Sequence, residues 1–121
     1  MRAARLGFVA LLVTLAIACG GGPTSTKYTQ TWTKNYSATT CTDWNTSMNE
    51  HQKFVMAADF LLTFQKGDQA DVAIPADTLI NNFKADISTV CAGNTGFPPD
   101  QEKVGSIATL VYGQGGATYK P

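Results

Sequence analysis

PADTLINNFKADISTVCAG, residues 75–93, decides the fold. Ala76, Leu79, Ile80, Phe83, Ile87, Val90 and Cys91 recur at spacings of three and four. That period places side chains on one face of an α-helix. Pro75 suits the first turn, where its missing N–H has no helical partner to lose. Gly93 suits a left-handed cap at the far end. Cys91 therefore belongs to the buried face.

The same period extends in both directions. Upstream, Ser47-Met48-Asn49-Glu50 reads as a capping box, in which hydroxyl and carboxylate satisfy each other's backbone donors. It opens a helix through about Lys66. Phe54, Val55, Ala57, Ala58, Leu61 and Leu62 form its apolar arc, with Gln52, Asp59, Thr63 and Lys66 opposite, and Gly67-Asp68 stops it. Downstream, Pro98-Pro99-Asp100 marks a third start, Val104, Ile107, Ala108 and Val111 its inner face, and Gly113 its end. A short helical turn at residues 42–45 precedes these helices. The expected class is all-α: a small bundle of three to four helices over residues 38–112, followed by a flexible polar tail at 113–121. Neither an internal repeat nor a second domain is expected.

The chain opens with MRAARLGFVALLVTLAIACGGG, residues 1–22. Arg2 and Arg5 precede a 13-residue apolar run, Leu6 to Ala18, too short to anchor stably across a hydrocarbon core of roughly 30 Å. Ala16 and Ala18 stand three and one before Cys19, so residues 1–18 read as a secretory signal peptide. The cysteine after the cut resembles a bacterial lipobox, with Leu15 one place further back than usual. Cys19 is then the lipid attachment site, and residues 19–37 a Gly/Thr/Ser-rich tether. The alternative is an ordinary signal cut at Ala18, with Cys19 incidental. The expected location is a cell membrane or outer membrane, facing the periplasm or exterior.

Removing residues 1–18 leaves 103 residues with nine carboxylates, seven lysines and no arginine, a side-chain charge of −2. Nucleic-acid binding, which needs clustered cations for phosphates, is excluded. Attachment to a membrane would come from lipid rather than charge. With Cys19 assigned, Cys41 and Cys91 remain in an oxidising compartment and are expected to pair. Closing a loop of that size stabilises a fold by about 4 kcal/mol. One histidine, His51, is too little for a metal site with two cysteines, and nothing pairs it with a thiol for catalysis. Asp68 and Asp71 lack the remaining ligands of a calcium loop. No nucleophile elbow, phosphate loop or dinucleotide fingerprint occurs. No enzyme activity, cofactor or metal is expected.

Thr40-Cys41-Thr42-Asp43-Trp44 and Ile87-Ser88-Thr89-Val90-Cys91, with their cysteines 50 residues apart, resemble the paired cysteine motifs of small periplasmic acid-stress chaperones of the HdeA type. The likeness covers roughly Ser37 to Tyr112. It implies a one-disulfide helical domain that loosens in acid and binds unfolding clients through apolar surface, here Phe54, Leu61, Ile80, Phe83 and Ile87. With all carboxylates protonated and His51 charged, the mature side chains would carry about +8. The known chaperones of this kind are soluble and densely charged, whereas this chain has 16 charged side chains in its 103 mature residues.

Tyr28, Trp32 and Tyr36, in the threonine-rich arm before the domain, share one side of an extended segment. They either pack on their own domain or form a docking strip for a client, a homodimer partner or an envelope protein, since Trp and Tyr favour interfaces. Two function classes follow: a lipid-anchored, client-binding chaperone of acid or envelope stress, or a non-catalytic interaction or accessory module with the bundle as scaffold. For processing, the expected mature N-terminus is Cys19 carrying two or three acyl chains. Intact mass from the membrane fraction checks this; an unmodified chain starting at Cys19 rejects it.

Overall fold

The computed structural model describes residues 26–93 and 96–121, so the stretch read as a signal peptide, Cys19 and the first residues of the expected tether lie outside the described residues. Among the described residues there are three α-helices: α1 (Glu50–Asp68), α2 (Asp77–Ala92) and α3 (Val104–Gln114). A π-helical turn, Asp43–Ser47, precedes α1, and 3-10 turns occupy Tyr36–Ala38 and Gly116–Thr118. Each α-helix packs on the other two, which makes the architecture the all-α, disulfide-stapled bundle expected.

The core forms where the apolar faces meet. Val55, Met56, Ala57, Leu61, Ile80, Phe83, Ile87, Val104 and Ala108 are wholly buried. Burying one such large aliphatic or aromatic side chain is worth about 1.5–3 kcal/mol, and the centre is closed by Trp44, also fully buried. Its indole Nε1 donates to Ser88 Oγ at 2.9 Å, so the one polar atom of the ring is satisfied. Beside it Cys41 and Cys91 are bonded, and Asn45 Nδ2 donates to the Cys91 carbonyl at 3.1 Å.

Segment 39–42 joins the bundle a second way. Cys41 N–H donates to the Glu102 carbonyl at 2.9 Å, Thr42 N–H to that of Pro99 at 3.1 Å, and Val104 N–H to that of Thr39 at 2.9 Å. Thr40 and Lys103 thereby form an isolated antiparallel bridge. The entry to α3 is tied to the first cysteine's backbone, while sulfur ties that cysteine to α2.

Several local boundaries differ from the sequence reading. The capping box lies two residues later: Asn49 accepts from Gln52 N–H at 2.8 Å and Gln52 Oε1 accepts from Asn49 N–H at 2.9 Å. Ser47 is consumed by the π turn, which Met48 N–H closes on the Asp43 carbonyl. Gly93 is extended, with φ −90° and ψ −161°, because its N–H bonds back to the Thr89 and Val90 carbonyls without a left-handed residue. Pro98–Asp100 form a turn rather than a helix start, and α3 begins at Val104 because Lys103 is held extended by the bridge to Thr40.

Residues 113–121 are not a flexible tail. Gly113 lies inside α3, and the chain reverses through Gly115 and Gly116, the latter at φ 58°. Tyr119 returns to the core, 2 % exposed, its ring edge-on to Phe83 at 5.0 Å. The buried Gln65 amide donates to the Tyr119 carbonyl at 2.8 Å, and Lys120 Nζ reaches Asp68 at 3.1 Å. The sequence hides this docking because a single tyrosine among glycines carries no period. A Cβ at Gly115 would stand 2.6 Å from the Tyr119 ring, whereas one at Gly113 meets nothing. Gly115→Ala should therefore displace the ring and lower stability by about 1–3 kcal/mol, while Gly113→Ala should raise it by about 0.5–1 kcal/mol. Urea midpoints of the two variants check the pair, and equal midpoints would sink the assignment.

Candidate functional site

Among the described residues no group of three or more His, Cys, Asp or Glu side chains could hold a metal ion, and no helix is long and apolar enough to cross a membrane. A shallow depression of about 220 Å³ lies between the end of α2 and the end of α3, lined by Asp86, Thr89, Val90, Val111, Gln114 and Gly115. Of its polar lining, Asp86 accepts from the Tyr119 hydroxyl and Thr89 Oγ1 donates to the Ala85 carbonyl. The chemistry is concentrated instead where the arm crosses α1.

Residues 26–36 run along α1 in the same direction as the helix. Tyr28 stacks on Phe54, with ring centroids 6.1 Å apart, and Tyr36 tilts over Phe60 at 5.5 Å. Between them Gln30 acts as a clip. Its Nε2 donates to Tyr36 Oη at 3.0 Å and to the Gln52 carbonyl at 3.1 Å, while its Oε1 accepts from the Thr31 and Trp32 amides. Gln52 Nε2 donates to Thr31 Oγ1 at 3.2 Å, and His51 Nε2 lies 3.1 Å from the Thr29 carbonyl. Trp32 turns inward, its indole donating to Thr39 Oγ1 at 2.9 Å. All three arm aromatics are half-buried against the core, so the arm seats its rings on its own domain, and residues 26–37 belong to the fold rather than to a tether.

The eight apolar residues singled out in the sequence thus fall into two groups. Tyr28, Trp32, Tyr36 and Phe54 form a half-buried layer, and Leu61, Ile80, Phe83 and Ile87 lie beneath it with no exposure. They do not form one surface in the folded state.

What the sequence did not reveal is how these layers are fastened. Three tyrosine hydroxyls donate to three carboxylates: Tyr36 to Asp59 at 2.6 Å, Tyr112 to Asp68 at 2.6 Å, and Tyr119 to Asp86. The partners lie 23, 44 and 33 residues apart, so no local pattern announces them. Two lysine contacts add to the set. Asp43, in the cysteine motif, accepts from Lys34 Nζ at 2.8 Å and from Thr40 N–H at 3.0 Å. Glu50 accepts from Lys84 on α2 at 2.9 Å.

These contacts move the titrations in both directions. Burial pushes the Tyr36 phenol up and its bond to Asp59 pushes it further, to about 12. Burial and then Asp68 raise Tyr112 to about 12, and burial and Asp86 raise Tyr119. Burial pushes Asp43 up, but the bonds from Lys34 and Thr40 together outweigh it and hold the carboxyl below its ordinary value. Lys84 lowers Glu50, and Tyr112 followed by Lys120 lowers Asp68.

No protein-family model, no curated protein and no solved structure matches the chain.

The pH dependence follows from these signs. A phenol whose folded pKa lies above its unfolded value stabilises the fold fully below about pH 10, and that contribution disappears as pH rises through about 12. A carboxylate with a lowered folded pKa stabilises the fold above its unfolded value near pH 4 and loses that effect as pH falls through the folded one. Urea midpoints should therefore be level from about pH 6 to 9, fall below about pH 4, and fall again from about pH 10 to 12. The alkaline fall should shrink in Tyr36→Phe and Tyr112→Phe. If both variants keep the full alkaline fall, the tyrosine ties do not cause it.

Proposed function

We propose that the chain is a lipid-anchored cell-envelope protein whose helical domain binds unfolding clients under acid or envelope stress. One observation carries this reading: the layers that cover the aliphatic core are fastened through carboxylates. Asp59 holds the arm, Asp86 holds the tail, and Asp68 holds both α3 and the tail. Asp43 holds the arm's Lys34 and the backbone of Thr40.

Protonation of Asp43 and Asp68, both held below their ordinary value, weakens the charge-assisted bonds they accept from Lys34, Thr40, Tyr112 and Lys120. At the same time the mature side chains pass from −2 to about +8, and self-repulsion opposes the compact state. The arm and tail loosen, and Leu61, Ile80, Phe83 and Ile87 become available to a client's apolar segments. The bond between Cys41 and Cys91 limits the opening, and the positive charge keeps the complex dispersed. The cysteine motifs that resemble the HdeA type support the same reading.

A second reading is the envelope accessory module. It is favoured by Ile74 and Leu110, which are 51 % and 44 % exposed in the folded state and give a partner apolar contacts without opening.

Light scattering of an acid-denatured client, from about pH 2 to 7, separates the two. Residues 24–121 are expected to lose near-ultraviolet dichroism near about pH 2–3 and to delay client aggregation over the same range. A domain that stays compact at pH 2 and leaves scattering unchanged in molar excess would make the accessory module the better reading.

A further inference from the structure

The arm differs from the rest of the fold in how it is attached. Its hydrogen bonds to α1 named above all use a side chain at one end at least, and the arm contributes no backbone ladder. Removing it breaks no helix, because α1 has its own N-terminal closure in Asn49 and Gln52. What it covers is two rings of α1, Phe54 beneath Tyr28 and Phe60 beneath Tyr36. Phe60 stacks on Phe64 at 6.1 Å, and Phe64 meets Tyr112 at 5.1 Å, so a row of rings continues a helical turn beyond the seat of Tyr36. Beside the rings stand polar groups able to serve any extended chain: the Gln52 carbonyl and side-chain amide, the His51 ring nitrogen and the Asp59 carboxylate.

We infer that the arm is a displaceable cover, filling in cis a docking strip on α1 for an extended, aromatic-bearing segment of an unfolded polypeptide. The occupant's chemistry is read from the segment already seated there. Aromatic residues four apart, Tyr28, Trp32 and Tyr36, reach the ring row and the core edge, and Thr and Gln between them exchange hydrogen bonds with α1. Residues 26–36 carry two charges, Lys27 and Lys34, which pair with Asp77 and Asp43 and stand over the Tyr28 and Trp32 rings. The strip therefore selects aromatic-rich stretches with no acidic residue, in which lysine is accommodated beside a ring, and such aromatic segments are what a folded protein hides and an unfolding one exposes. A client segment binds by taking the arm's place, and the apparent affinity is reduced by the fraction of molecules whose arm is closed. This deepens the chaperone reading by naming the surface a client takes, and it operates at neutral pH without core opening.

The test uses the chain from Gly20 to Pro121, which keeps the whole described fold, at pH 7. The probe is a fluorescent peptide with the sequence of residues 26–37, followed by anisotropy, with a control peptide in which Tyr and Trp are replaced by Ser. Tyr36→Phe removes the bond to Asp59, and Gln30→Ala removes the clip to Gln52. The double variant should keep its helical dichroism, exchange its arm amides faster than the parent, and bind the probe about tenfold more tightly or better. The control peptide should not bind. A folded double variant with a faster-exchanging arm and no gain in probe binding overturns the inference. So does a double variant that dimerises instead, since the strip's occupant would then be a second copy. Probe binding without client protection in acid would remove the stress function and leave the strip standing, whereas protection without probe binding would do the reverse.

Discussion

The bond between Cys41 and Cys91 is the constraint on which the remaining structure depends. It fixes the segment before α1 to the last turn of α2, across 50 residues of chain, and removes about 4 kcal/mol of loop entropy from the unfolded state. A core of this size leaves only a few kcal/mol of net stability, so a term that large changes whether the bundle closes at all. Its placement matters as much as its magnitude. The backbone around Cys41 also supplies the amide and carbonyl partners of Glu102 and Val104. One short segment is therefore pinned to α2 through sulfur and to α3 through hydrogen bonds, and Trp44, three residues on, plugs the centre with its indole satisfied by Ser88.

Around that rigid centre the outer layers are held by a different kind of force. Tyr36, Tyr112 and Tyr119 each reach a carboxylate on α1 or α2. Such a bond is stronger than one between neutral groups because the acceptor is charged, and it lasts only while the carboxyl is ionised and the phenol is not. The same pairing that raises a phenol's pKa lowers the carboxylate's where nearby cations assist, as at Asp68 with Lys120. The interior is thus held by apolar burial and a covalent bond, which are nearly indifferent to pH, and the covers by pairs that are not.

The arm is the clearest case of this division. It is ordered by aromatic contact and side-chain hydrogen bonding over a helix whose own caps are complete, so its closed state and the bundle's integrity are separate equilibria. Local opening of such a segment has a lower free-energy cost than global unfolding, and the surface beneath it, Phe54 and Phe60, is already half-exposed with the arm in place. Closure of the arm and stability of the scaffold therefore draw on different residues.

Residues 75–93 determine a helix from their own spacing, because an apolar face recurring every three to four residues has one way to be buried at once. The cysteine count made the Cys41–Cys91 pairing legible as well, and the helix and the pairing both appear in the tertiary structure. Helix ends were less legible. The choice between Ser47 and Asn49 as cap turns on whether the π turn claims Ser47, and the start of α3 on the bridge between Thr40 and Lys103. The tail and the arm could be placed only in three dimensions. Tyr119 docks because Gly115 leaves room for its ring, Phe83 offers a face and Asp86 an acceptor. Tyr36 docks because Asp59 lies on the outward face of α1 above Phe60. Helical periodicity is a property of neighbours along the chain, and the sequence by itself determined it. A hydroxyl meeting a carboxylate 23 to 44 residues away depends on how helices cross, and only the tertiary structure decided that.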